Sequence, residues 1–459
     1  MREFSKIIYK YLKVFIIVLI SLFILILLTS LIPSSVMRKN VQESADYMMD
    51  LGEYHYINIK MLKGVNKFIY TDALMVNTAY SIDNKNPIKS FLLAKKNFIP
   101  GITKIIHTNT PKGVPTAEKY LNDKYPESIR YQIIELYDMS HSEEVYESFE
   151  YARYWHGYLI FLRPLLVLFN YQQLEILFSV VTIVLALYLL YLVYKRFNIF
   201  VALSFLVGML AMDIFIISSC INAIVCFQIA FIFSIYLLRK KNLQIEKIPL
   251  LFFIIGILTN FIDFLTNPIV TLGIPAIICF LIMREKKVKL KEMYLIILNS
   301  IITWGAGYGL TWVSKWIITD ILYNRGVVMN AIKQALVRTG LANEEAVTIE
   351  KLYCRIERYE GIYCKSIISL INCIYFGIYV LKFYKKEDKL LKNVKEVGPL
   401  IVIILLPIVW GMALINHTTV HAFFTYRNNI ILIIGIQLAV LIFCNMCDKN
   451  IKNTGNKNE

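Results

Sequence analysis

The apolar residues of this chain are grouped in long blocks, and they do not recur at the period of a strand or of a surface helix. Each block is about 17–25 residues long, the length of helix that crosses a hydrocarbon core of about 30 Å. Backbone groups in lipid must form their hydrogen bonds within the segment, so each block predicts a transmembrane helix. The blocks lie at 14–32, 174–194, 199–217, 220–238, 249–266, 268–283, 293–318, 366–384, 399–415 and 428–445.

This pattern predicts an all-α polytopic membrane protein with about ten transmembrane helices. The first block follows a basic tail, and no Ala-x-Ala-like cleavage site comes after it, so we expect a retained span and not a signal peptide. The apolar run 158–169 is too short to span and contains Arg163, so it predicts an interfacial segment. The mean hydropathy of +0.56 agrees with this class.

The blocks divide the chain into five parts. These are a tail with the first helix (1–32), a large loop with interfacial segments (33–173), a six-span core (174–318), a second loop (319–365) and a three-span core with a tail (366–459). The soluble-like part of the first loop, 33–155, is predicted to be mostly helical, with helices beginning near Thr116 and after Pro126. Ile129, Ile133 and Leu136 form one amphipathic stripe there.

The net charge of +16 could indicate either nucleic-acid binding or membrane topology, and its distribution decides between them. With the N-terminus inside, the cytoplasmic pieces hold 24 Lys and Arg against 9 Asp and Glu, whereas 33–155 holds 15 of each sign. Short cytoplasmic loops characteristically carry an excess of Lys and Arg. The charge therefore predicts cytoplasmic termini and an outer loop 33–155, and we expect no nucleic-acid partner.

Polar residues are then expected to gather at the outer face. All six histidines, including His156, His417 and His421, fall on the outer side of the predicted topology, and Lys315 lies near the outer end of its span. Interfacial anchoring explains any one of these residues equally well. As a set, they favour an outward-facing polar cavity.

Two aspartates are the sharpest candidates for chemistry. Asp263 lies where two apolar blocks meet with almost no connecting loop, so it either faces a cavity or stabilises the start of the next helix. Asp72 is the one acid in an apolar stretch of the first loop. Burial would raise its pKa toward the range useful for proton transfer, although an aspartate before an apolar run is also a good helix cap.

A cation-rich aromatic string closes the first loop. It combines Arg153 and His156 with tyrosines and a tryptophan, and Arg163 follows seven residues after His156. Guanidinium groups beside aromatic rings suit phosphate pairing and sugar stacking, and they equally suit an interfacial belt. The chain contains no P-loop, Gly-x-Gly-x-x-Gly, His-Glu-x-x-His or Gly-x-Ser-x-Gly motif, so nucleotide-driven chemistry is disfavoured.

The order of these features resembles the type-C (GT-C) membrane glycosyltransferases, which carry one N-terminal span, a large outer loop with an essential aspartate, and many further spans. The strings that carry the resemblance are 71–75, 153–158 with Arg163-Pro164, 263–266, 304–309 with 314–316, and 416–427. Asp72 departs from the pattern, because it lies 40 residues after Ile32 and has no acidic neighbour. Asp46, Asp50 and Asp72 therefore all stay candidates for the essential catalytic aspartate.

The resemblance implies a bacterial plasma-membrane glycosyltransferase acting on the outer face. It would take a sugar from a polyprenyl-phosphate donor and transfer it to an envelope glycan, lipid or protein, with Asp72 as general base. Donor and acceptor binding would fall to Asp263, Arg153, His156, Arg163, Lys315, His417, His421 and Arg427. No cofactor is firmly implied, and a role for a divalent cation stays open. A transporter or flippase, an envelope-polysaccharide polymerase or ligase, and a non-catalytic scaffold are the alternatives.

Overall fold

A computed structural model of the chain describes residues 2–51, 54–59, 62–98, 131–142, 147–215, 217–341, 377 and 390–443. Several sequence predictions lie outside these residues. They are the span 366–384, the helix near Thr116, the first residue of the stripe at Ile129, and the part of the second loop after Leu341.

The described chain is mostly helical. The helices are α1 (Arg2–Ser30), α2 (Arg38–Leu51), α3 (Ile69–Tyr80), α4 (Pro87–Leu93), α5 (Tyr131–His141), α6 (Leu159–Leu168), α7 (Tyr171–Arg196), α8 (Ile199–Ala211), α9 (Ile221–Arg239), α10 (Ile248–Ile262), α11 (Pro268–Glu285), α12 (Leu290–Tyr323), α13 (Val327–Thr339), α14 (Leu390–Ile404), α15 (Leu406–Ala413), α16 (Ile415–Val420), α17 (Ala422–Thr425) and α18 (Ile430–Phe443).

Eight helical segments of the described chain are long and apolar enough to cross a membrane, so the protein is a multi-pass membrane protein. They match eight of the predicted blocks. The predicted block 199–217 instead forms α8, a 13-residue helix, which is short for a span. It ends before Asp213, whose φ of 56° is left-handed, and a helix cannot continue through that conformation. The interfacial run forms α6, also too short to span.

The first loop contains two small antiparallel sheets that the sequence analysis did not predict. Strand β1 (Tyr54–Ile59) pairs with β2 (Leu62–Phe68), and β3 (Lys95–Phe98) pairs with β4 (Glu147–Glu150). Strands β3 and β4 are four residues each, which is too short for an alternating pattern to stand out. The second sheet joins the chain after α4 to the aromatic string that begins at Tyr151.

A small core of its own holds the loop together. Helix α5 packs against α2 and α3, and the predicted stripe is confirmed for Ile133 and Leu136, which are fully buried. Met48 and Val76 meet them from the other two helices. We call the end of the bundle that carries this packed loop the loop face. It includes the start of α9, the turn between α10 and α11, and the end of α12.

Two spans, α10 and α12, approach each other backbone to backbone. A Cβ placed on Gly256 would meet the carbonyl oxygen of Trp304, and one on Gly307 would meet that of Phe253. Small residues permit such close helix contacts in membranes, where van der Waals packing carries much of the association. Gly305 and Gly309 of the same α12 face open space.

We expect Gly307→Ala to lower the thermal stability of the purified chain, because its methyl group would push the two backbones apart. The loss should be about 1–3 kcal/mol. Gly305→Ala and Gly309→Ala are the matched controls, and they should be neutral or stabilise by up to about 1 kcal/mol through helix propensity. Equal effects at Gly305 and Gly307 would contradict the close contact.

Candidate functional site

A cavity of about 280 Å³ opens at the loop face. It lies where α3, β3, α5, the aromatic string, the α10–α11 turn, α13 and the segment 417–424 converge. Aromatic rings supply much of its wall, with two histidines and two cations among them. The lining residues are Tyr70, Thr71, Leu74, Lys96, Gln132, Phe149, Tyr151, Tyr154, Phe264, Thr266, Arg338, His417, His421 and Phe424.

The two cations of the cavity differ in how far their charge is compensated. Lys96 Nζ lies 2.6 Å from Glu135 Oε2, and both side chains are buried, so this charge is neutralised within the loop. The guanidinium of Arg338 instead lies over the ring of Tyr154, 5.6 Å from its centroid. The guanidinium also forms a side-chain hydrogen bond with Tyr154. A guanidinium has five N–H donors, so others can still bind an anion. Arg338 is therefore the cation best suited to bind a ligand.

His417 and His421 form a pair with ring centroids 4.8 Å apart. His417 Nε2 donates to the carbonyl oxygen of Leu265 at 3.1 Å, which leaves Nδ1 of the neutral ring as an acceptor. Burial, followed by the neighbouring His421 and Arg338, lowers the pKa of His417 to about 3. Burial and Arg338 also lower the pKa of His421. Both imidazoles are therefore neutral at physiological pH.

The turn between α10 and α11 holds His417 in place. The carboxylate of Asp263 accepts hydrogen bonds from the backbone N–H of Thr266 at 3.1 Å and from its hydroxyl. Leu265 between them has a φ of 67°, a left-handed conformation that is unusual for a branched residue. This conformation aims the Leu265 carbonyl at His417. Asp263 itself is buried beside the cavity, and burial raises its pKa despite the bonds from Thr266.

His156 lies behind the aromatic wall and does not line the cavity. Its Nε2 donates to the Tyr151 carbonyl at 2.9 Å, and its Nδ1 lies 3.1 Å from the Tyr158 hydroxyl. The imidazole contacts the rings of Tyr154 and Phe264. The backbone of His156 has a left-handed φ of 54°. Burial lowers its pKa to about 3. The contacts of His156 thus shape the wall on which a ligand would rest.

Asp72 is fully buried and points away from the cavity, into the start of α9. Its carboxylate accepts from the backbone N–H of Ile221 at 3.1 Å, from the backbone N–H and side-chain amide of Asn222 at 2.8 Å each, and from the Tyr171 hydroxyl at 2.5 Å. Burial raises its pKa to about 6, against the opposing effect of these donors. These are the contacts of a helix cap supplied from a distant segment.

Three of the predicted cations, Arg163, Lys315 and Arg427, are buried in structural contacts. Arg163 donates to the carbonyls of Thr29, Ile32 and Ala79, and so fastens the ends of α1 and α3. Lys315 Nζ donates to the Leu92 carbonyl at 2.6 Å and lies 5.3 Å from the Trp155 ring centroid.

Arg427 lies over the Tyr426 ring at 4.7 Å, and the Tyr426 hydroxyl donates to Asp213 at 2.9 Å. The remaining candidates are nearer the surface. Arg153 donates to the Asn330 side chain at 2.7 Å. Asp46 lies 3.2 Å from His141 Nε2, and Asp50 is exposed on α2.

Of the predicted residues, the structure brings His417 and His421 to the cavity, with Asp263 and His156 directly behind its wall. Sequence reasoning missed Arg338, Lys96 and Gln132. A signal existed for Arg338, because Ile332, Ala335 and Leu336 just before it have the spacing of an amphipathic helix. The sequence around Lys96 and Gln132 gave no indication of a site, because only the folding of the first loop brings these residues to the cavity.

Beside the cavity lies a small apolar slot of about 60 Å³. It shares Tyr154 and Arg338 with the cavity, and its other lining residues include the predicted Arg153 as well as Trp312, Trp316 and Leu414. Among the residues that the structure describes, no three His, Cys, Asp or Glu side chains are grouped so as to hold a metal ion.

No protein-family model, curated protein or solved structure matches this chain. The GT-C resemblance therefore enters below as part of a proposal.

We expect Asp72→Ala to destabilise the chain by about 2–4 kcal/mol, because it leaves the first N–H groups of α9 and the Tyr171 hydroxyl without their acceptor. Asp72→Asn keeps one acceptor oxygen and should cost less. Thermal unfolding of the purified protein measures this, with the exposed Asp50→Ala as control. Equal stability of Asp72→Ala and Asp50→Ala would rule out the cap.

The buried neutral histidines predict acid sensitivity. The folded pKa of His156 and of His417 is about 3, below the ordinary 6.5, so their stability contribution is present above pH 6.5 and lost as pH falls toward 3. Each contributes a slope of roughly 1.4 kcal/mol per pH unit. Asp72, whose pKa is raised from 3.8 to about 6, and Asp263, whose pKa is also raised, act oppositely in acid. The test therefore compares the wild type with a variant that lacks one histidine.

Between pH 6.5 and 4, the unfolding temperature of His417→Gln should therefore fall less steeply with decreasing pH than that of the wild type. The control Thr339→Ala should leave the slope unchanged, because it removes no titratable group and its hydroxyl donates only to carbonyls of its own helix. Identical acid profiles for the wild type and His417→Gln would contradict a buried neutral imidazole.

Proposed function

We propose that this chain is a GT-C-like membrane glycosyltransferase, which takes a sugar from a polyprenyl-phosphate donor and passes it to an envelope glycan, lipid or protein. In this proposal the loop face is the outer face of a bacterial plasma membrane, and both termini are cytoplasmic. The observation that carries it is the convergence of Arg338, the paired histidines and an aromatic wall in one cavity at the loop face.

The cavity has the groups that a lipid-linked sugar phosphate requires. A guanidinium pairs with phosphate through two parallel N–H bonds, and aromatic rings offer apolar faces to a sugar. The apolar slot adjoins the cavity at Arg338 and Tyr154, so the first isoprene unit of a lipid chain there would leave its phosphate beside the guanidinium. This juxtaposition favours a donor with a hydrocarbon tail over a soluble nucleotide sugar.

The proposed reaction is a single displacement. The acceptor hydroxyl oxygen attacks the anomeric carbon, the bond from that carbon to the phosphate oxygen breaks, and the phosphate leaves with the electron pair. We assign the hydroxyl proton to the His417 and His421 pair, since these side chains line the cavity and Asp72 does not. A bound phosphate raises the pKa of a nearby imidazole, so the pair becomes a better proton acceptor when the donor is present.

Transfer of labelled sugar from a polyprenyl-phosphate donor in membranes tests this function. Arg338→Gln should lower transfer about 10–100-fold, the loss expected for one charge-assisted contact. Lys333→Ala is the control, because Lys333 is exposed on the same α13 and does not line the cavity. His421→Phe should abolish transfer with donor binding retained.

Two outcomes would overturn the assignment. Unchanged transfer by Arg338→Gln would remove the cavity as the donor site. Loss of transfer in Asp72→Asn, with the thermal stability of the wild type, would return the role of base to Asp72.

A further inference from the structure

A second cavity lies at the opposite end of the bundle, away from all residues of the proposed reaction. It has a volume of about 370 Å³ and lies between the end of α9 and the start of α10. Both helices meet the surface there, so the cavity is at the boundary between membrane and water. Its lining includes Lys240, Lys247, Tyr236, Leu243 and Leu251.

The lining is polarised along the membrane normal. Lys240 and Lys247 lie at the water-side ends of the two helices, whereas Tyr236 and Leu251 lie one turn further into the bilayer on the same helices. Below Tyr236, the side chain of Ile232 is half exposed on α9 and continues the apolar strip. A ligand that fits this lining has an anionic head at the surface and a hydrocarbon tail along α9.

Three other basic side chains of this face make internal contacts. Arg196 pairs with Glu285 at 2.7 Å, and Arg284 pairs with Glu396 at 3.5 Å. Lys286 donates to the Leu243 carbonyl at 3.1 Å and so holds one wall of the cavity in place. These contacts fix the cavity without using its two lysines.

Lys240 and Lys247 are exposed and make no salt bridge to a carboxylate of the described residues. The ammonium of Lys240 lies 5.6 Å from the Tyr236 ring centroid. Two exposed ammonium groups at one cavity place positive charge at headgroup level. Anionic lipid surfaces attract such lysines, each by roughly fivefold in affinity.

We propose that this cavity binds the headgroup of an anionic phospholipid from the leaflet opposite the loop face. Lys240 and Lys247 bind the phosphate from two sides, Asn242 and Gln244 face the polar part of the head, and the acyl chains follow the apolar strip of α9. The site is independent of the transfer reaction proposed for the loop face.

Native mass spectrometry of the full chain in detergent tests the site, with phosphatidylglycerol and phosphatidylcholine added together. The wild type should retain phosphatidylglycerol preferentially. The double variant Lys240→Ala/Lys247→Ala should lose this preference by about fivefold or more, and Lys240→Arg/Lys247→Arg should keep it. Lys289→Ala/Lys291→Ala is the matched control, because these two lysines are exposed at the same face and do not line the cavity.

Three results would overturn the proposal. An equal loss in the control variant would show that surface charge alone attracts the lipid. Displacement of the lipid by soluble glycerol phosphate at equal concentration would show an anion site without a lipid requirement. Equal retention of the two phospholipids by the wild type would remove the headgroup specificity.

Discussion

The carboxylate of Asp72 joins the loop to the membrane bundle, and the geometry of the loop face depends on this contact. Cys220, at the N-cap position of α9, makes no side-chain cap, so the first N–H groups of that helix need another acceptor. Asp72 supplies it from α3 and binds the Tyr171 hydroxyl of α7 at the same time. Since Tyr70 and Thr71 precede it on α3 and line the cavity, the cap also sets one wall of the candidate site.

At helix C-termini, buried cations bind backbone carbonyl groups in a similar way. Arg163 and Lys315 donate to carbonyl oxygens at the ends of α1, α3 and α4. A cation there is stabilised by the partial negative charge of the helix end and by orphan carbonyls that need donors. The loop is therefore anchored by charges buried against backbone groups, and these charges cannot move to a ligand without breaking the anchor.

Sequence reasoning worked where the physics is local and failed where it is not. The spans followed from the lengths of apolar blocks, because the bilayer imposes one length on every crossing helix. Two of the polar residues expected at one face, His417 and His421, line the cavity. The partner of Asp72 could not be predicted, since Asn222 lies 150 residues away and only the tertiary fold brings the two together. A buried aspartate can have the same local sequence whether it acts as a general base or as a helix cap.

The side chains that remain at the cavity define its chemistry. Asp72, Arg163 and Lys315 bind backbone groups at helix ends. The cavity itself is lined by a stacked guanidinium, a neutral histidine pair and aromatic rings. Burial and the charge of Arg338 disfavour protonation of His417 and His421, so the pair is uncharged. An anion that binds Arg338 removes this repulsion and adds an attraction, and both effects raise the pKa of the imidazoles. Anion binding and proton uptake are thus linked, and each strengthens the other. A ligand that brings a phosphate and a hydroxyl proton together meets both requirements of this cavity.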